Sequence, residues 1–70
     1  MNGFNDKISK ESVARLCAYI TDKDMERAHK ITAIYAYCNA LYDIGILTLN
    51  ERIETAGYCV KKLFEMDGLI

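Results

Sequence analysis

Apolar side chains recur along this chain at helical spacing in three separate runs. Val13, Leu16, Cys17 and Ile20 fall at i, i+3, i+4 and i+7, one face of a short helix over residues 10–20. Ser9 stands where an N-cap hydroxyl would accept from first-turn amides, and Glu11 suits the positive end of the helix dipole. Ahead of it, residues 1–8 carry Asn2, Gly3, Asn5 and Asp6 and read as a loose lead-in, with Phe4 and Ile8 available to fold back. No Gly or Pro interrupts the chain from Asp22 to Ile44, and Thr21 with Asp24 resembles a capping box. The pattern therefore predicts a long helix over residues 22–44, on the order of 34 Å at 1.5 Å per residue. Within it Ile31, Ile34, Tyr35, Cys38, Leu41 and Tyr42 form one broad apolar stripe.

Gly45 is the stop signal for that helix. A left-handed Gly45 would place Ile46 for an apolar contact back to Leu41. Thr48 and Glu51 then form a capping box, the hydroxyl serving the Glu51 amide and the carboxylate reaching back to the Thr48 amide. Leu49, Ile53, Ala56, Val60, Leu63 and Phe64 give a narrow stripe, with Asn50, Glu51, Glu54, Lys61, Lys62 and Glu65 on the other side, so an amphipathic helix is expected over residues 49–66 with Gly68 as its terminus. The tight link from Gly45 to Thr48 makes the second and third helices antiparallel neighbours. The expected fold is an all-α, three-helix domain spanning residues 1–70.

Composition sharpens this picture. At 70 residues there is room for one domain, and its own core is marginal, since a chain this short buries only about 60% of the surface it exposes unfolded. Yet 51% of the residues are hydrophobic, which excludes a disordered tail. Few residues remain to line a sizeable enzyme pocket. A net charge of −1 with interleaved signs makes the chain a poor nucleic-acid binder. The first eleven residues hold no apolar run of the kind a secretory signal or membrane anchor needs. Between Ile31 and Leu49 only Asp43 is charged, but Asn39, Asp43 and Gly45 argue for a buried helix over a membrane span. Three Cys without a secretion signal point to free thiols in a reducing, cytoplasmic setting.

The long helix is apolar nearly all round, which is the mark of a helix buried all round. Opposite its main stripe lie Ala33, Ala36 and Ala40. Alanine tolerates solvent in a helix, which is the plain reading. The sharper one is that this ridge admits another helix closely, and two-fold pairing of identical chains is the commonest arrangement. A homodimer is expected on that basis. Tyr37 and Tyr58 lie off the main stripes and join Ala33, Ala36 and Ala40 as candidate interface residues, with ordinary half-buried packing as their alternative.

Candidate chemistry is sparse. Cys17, Cys38 and Cys59 are evenly spaced, but their flanks share little and each sits on or beside an apolar stripe, where a thiol acts as a small hydrophobe. A zinc site would need His29 to join thiolates from three helices without the short paired spacing such sites use. One His and four isolated Gly support neither a nucleophile with its base nor a phosphate loop. No catalytic, cofactor or metal residue is assigned. As a second reading, Lys23, Arg27 and Lys30 are the candidate phosphate contacts of a nucleic-acid-associated transcriptional regulator. Against it, Asp22, Asp24 and Glu26 are interleaved with them, and the helix after the Gly45 turn opens with two Glu and one Arg, unlike a recognition helix.

Leu41-Tyr42-Asp43-Ile44-Gly45-Ile46-Leu47-Thr48 followed by Glu51 resembles the short C-terminal oligomerisation motif of bacterial and phage proteins, Leu-x-x-x-Gly-Ile-Ile-Thr-x-x-Glu. Arg52 stands where that family places an aromatic, with Ile53 one position late; Lys61, Lys62, Leu63 and Phe64 follow as the family's pattern would have them. The resemblance covers about a dozen residues and implies a helical hairpin used for association, with no catalytic role. In general type the chain is also similar to small accessory proteins of phages and mobile elements, many of which act by occupying a host protein's surface. The expectation is a small non-catalytic interaction module, dimeric, that regulates or inhibits an unidentified partner protein.

Overall fold

A computed structural model of the chain describes residues 10–70, with side chains from Ser12 onward. It is all-α: α1 (Lys10–Thr21), α2 (Arg27–Asp43) and α3 (Leu49–Met66), with no strand among the described residues. The Ser9 cap, the Glu11 side chain and the lead-in over residues 1–8 lie outside what is described.

The long helix starts five residues later than periodicity predicts. The Thr21 hydroxyl donates back to the Cys17 carbonyl at 2.8 Å, closing the last turn of α1 instead of capping a new helix. The Asp22 carboxylate accepts from the Asp24 amide at 2.9 Å, a local turn that competes with helical backbone bonds. Glu26 holds the N-cap position in extended backbone without a side-chain cap, and α2 is 17 residues, roughly 26 Å.

The other boundaries follow the local chemistry. Gly45 has φ 83°, and the Gly45 and Ile46 amides donate to the Tyr42 and Leu41 carbonyls at 3.0 and 2.9 Å, the paired bonds of a Schellman stop. The Thr48–Glu51 capping box is complete, with Glu51 N to Thr48 Oγ1 at 3.2 Å and Thr48 N to Glu51 Oε1 at 2.9 Å. The α2–α3 hairpin is antiparallel: Arg27 at the start of α2 meets Asp67 just past the end of α3 at 3.3 Å, and Asn39 near the end of α2 accepts from Arg52 near the start of α3 at 3.0 Å.

Leu16 and Ile20 from α1, Ile34 and Cys38 from α2, and Ala56, Cys59 and Leu63 from α3 form the core. Leu41 and Leu47 make a smaller cluster under the hairpin turn. Both hairpin helices bury an arc different from the predicted stripe. On α2 the buried residues are Lys30, Ile34, Cys38 and Leu41, while Tyr35 and Tyr42 are exposed. On α3 they are Thr55, Ala56, Cys59 and Leu63, while Leu49 and Ile53 are exposed. At 100° per residue the buried arc is rotated from the apolar stripe by roughly 70° on α3 and roughly 50° on α2. Both rotations turn towards α1, which packs on one side of the hairpin and draws in Lys30, Tyr37, Thr55 and Cys59. One consequence is a Thr55 hydroxyl buried without a hydrogen-bond partner while two aliphatics face solvent.

Candidate functional site

The side chains left out by this rotation gather on the side of the hairpin away from α1. Helical phase places Ile31, Tyr35 and Tyr42 on that flank of α2, and Leu49, Ile53, Gly57, Val60 and Phe64 on that flank of α3. Tyr35, Leu49 and Ile53 are 47%, 49% and 58% exposed, and Ile31, Val60 and Phe64 are half-buried beside them. Single exposed apolar residues are ordinary on a protein surface; here three exposed and three half-buried ones share one flank of the hairpin. Two arginines edge it. Arg52 Cζ lies 5.1 Å from the Tyr42 ring centroid, and Arg27 Cζ lies 6.0 Å from that of Phe64. Arginine stacked over an aromatic ring keeps apolar contact and charge side by side, the mixture found in interface centres.

Gly57 is the odd residue of this face. It sits in the middle of α3, where Gly costs about 1 kcal/mol relative to Ala. A Cβ built on it meets nothing within 4 Å, so packing inside the chain does not require it.

The residues singled out from sequence are distributed differently. Ala36 and Ala40 are exposed and Ala33 half-buried, all turned away from the hairpin face. Tyr37 is half-buried against both core clusters: its hydroxyl donates to Ser12 Oγ at 3.3 Å, its ring meets Tyr19 edge-on at 6.2 Å, and Arg15 Cζ lies 5.9 Å from the ring centroid. Its ring is spent on joining α1 to α2. Tyr58 is exposed, with Lys62 Nζ 5.5 Å from its ring centroid, and points away from the face. Sequence reasoning missed Tyr35, Tyr42, Leu49 and Ile53 as surface because it assigned them to the core. The unforced Gly57 is the signal that marks their flank.

Nor do the three candidate phosphate contacts form a basic surface. Lys30 is buried, and its Nζ donates to the Ile20 carbonyl at 3.3 Å, satisfying the end of α1 where the dipole favours a cation. Arg27 is paired with Asp67, and Lys23 is exposed. All three line an open cleft of about 660 Å³ at the α1–α2 turn, in which Glu26 and Asp67 offset all but one of their positive charges. Lys30→Ala is expected to destabilise the fold by about 2 kcal/mol, lowering the melting temperature by roughly 10 °C, through loss of a charge-assisted bond and of stem packing. Urea titration of the variant checks this, and an unchanged midpoint would return Lys30 to the surface.

Cys17 is exposed, while Cys38 and Cys59 are buried, and all three are free thiols. Burial pushes both buried thiols up; at Cys38 the nearby Arg52 charge opposes the shift, and at Cys59 the value reaches about 11. No group of three His, Cys, Asp or Glu among the described residues is placed to hold a metal ion, and no described helix is long and apolar enough to cross a membrane. No protein-family model, curated protein or solved structure matches this chain. The functional reading therefore rests on the geometry of the hairpin face.

Proposed function

We propose that this chain is a small, non-catalytic, cytoplasmic protein-interaction module that associates through the α2–α3 hairpin face, acts as a dimer, and regulates or inhibits a partner protein. The observation that carries the reading is the offset between apolar stripe and buried arc on both hairpin helices. The sequence supplies apolar residues for cover on two sides of the hairpin, and α1 covers one. The resemblance around Gly45 to a short oligomerisation hairpin supports association, as does its helix–Gly–helix geometry with a full capping box. Similarity in type to phage and mobile-element accessory proteins supports the regulatory role.

Photo-crosslinking separates the possible contact surfaces. A benzophenone side chain placed at Ile53 is expected to give a protein adduct in the native cell, and one at Ala36 to give none. Adducts from Ala36 alone would move the interface to the alanine ridge. Absence of adducts from both positions would end the interaction reading.

A further inference from the structure

The hairpin face lies open, and the charges along it bear on what fits there. Glu54 lies three residues before Gly57 and Lys61 four after it, and at 100° per residue both fall on the outer rim of the same flank of α3. Both are exposed, and neither is in an ion pair among the described residues. Gly57 is at the midpoint of α3, within one residue. Crossing α3 with the same helix of a second copy, antiparallel and with the two-fold axis beside Gly57, therefore sets Glu54 opposite the second copy's Lys61. Symmetry then forms the reciprocal pair. A parallel crossing would instead set like charges against each other. The missing Cβ at Gly57 falls where the two backbones come closest, which gives a reason for a glycine that nothing inside the chain requires.

Resting on the interaction reading above, we propose that the occupant of the hairpin face is a second copy of this chain, with α3 crossing α3 antiparallel at Gly57 between reciprocal Glu54–Lys61 pairs. The face is self-complementary: Ile53 and Val60 flank the axis, and Tyr35 on α2 extends the contact towards the second hairpin.

Charge reversal provides the test, read as molar mass by sedimentation equilibrium at micromolar concentration, with helicity by circular dichroism as the folding control. Glu54→Lys alone and Lys61→Glu alone each juxtapose like charges twice and are expected to weaken dimerisation at least tenfold. An equimolar mixture of the two variants pairs Lys against Glu at both contacts, and its affinity is expected to return to within about threefold of the original. Gly57→Gln, which adds a good helix former in open space, is expected to retain or raise helicity while abolishing the dimer. A wild-type chain that stays monomeric, single reversals without effect, or a mixture that fails to recover would each overturn the proposal. A monomeric chain that still gives an adduct from Ile53 would leave the interaction reading standing and remove the second copy as its occupant.

Discussion

Ile34→Ala is expected to cost about 2–5 kcal/mol, on the order of half the stability of a chain this small. Ile34 is fully buried in the cluster that joins all three helices. Truncating it removes transfer free energy and leaves a cavity bounded on several sides, which limits how far the surroundings collapse. Set against this loss is the small total available to a chain of this length, about 4 to 10 kcal/mol for 70 residues. The contrast with Ile53→Ala gives the measurement its meaning. Ile53 is the same residue type on the open face, so its truncation in the monomer should stay within about 0.5 kcal/mol. Urea titrations of both variants at low protein concentration read the difference. Equal costs at the two positions would contradict the burial pattern from which the hairpin face is derived.

That burial pattern is also where sequence and structure part. Features set by neighbouring residues were legible: the Thr48–Glu51 box, the left-handed Gly45 and the span of α3 depend on a few residues in fixed order. The start of α2 was not, because Thr21 and Asp22 can each bond backbone in more than one way, and the tertiary position of α1 decides between them. Periodicity found the apolar arcs of α2 and α3 correctly as arcs of sequence. It cannot say which part of an arc a single neighbour will cover when the arc is wide enough for two. For this reason periodicity assigns Tyr35, Tyr42, Leu49 and Ile53 to the core although they are exposed, and Lys30, by type a surface residue, is buried because α1 ends beside it. The excess of apolar residues in the composition surfaces in the fold at Tyr35, Leu49 and Ile53. That exposure falls on the hairpin flank away from α1, a placement that follows from the packing of α1 against the other side.

Alkaline conditions should loosen this fold through Cys59. Its thiol is buried between the helices and pushed up to about 11 from an ordinary value of 9.0, mainly because burial disfavours the thiolate, with Cys38 and Cys17 adding in the same sense. The unfolded chain therefore gives up this proton at lower pH than the folded one. Stability from Cys59 is fully present below pH 9.0, falls as pH rises through the window, and is lost by about pH 11. Two units of separation correspond to about 3 kcal/mol, comparable to truncating a core side chain. Tyr and Lys also titrate in this range, so the readout is the difference between the wild-type chain and Cys59→Ala. The variant starts less stable at pH 8, and its urea midpoint should then decline less steeply towards pH 10.5. Thiol labelling provides an independent check: at pH 8 Cys17 should react at the rate of an exposed thiol, whereas Cys38 and Cys59 wait for the helices to open. Parallel alkaline slopes for the two chains, or prompt labelling of Cys59 in the folded state, would place that thiol outside the core and remove one of the contacts that turn α3 towards α1.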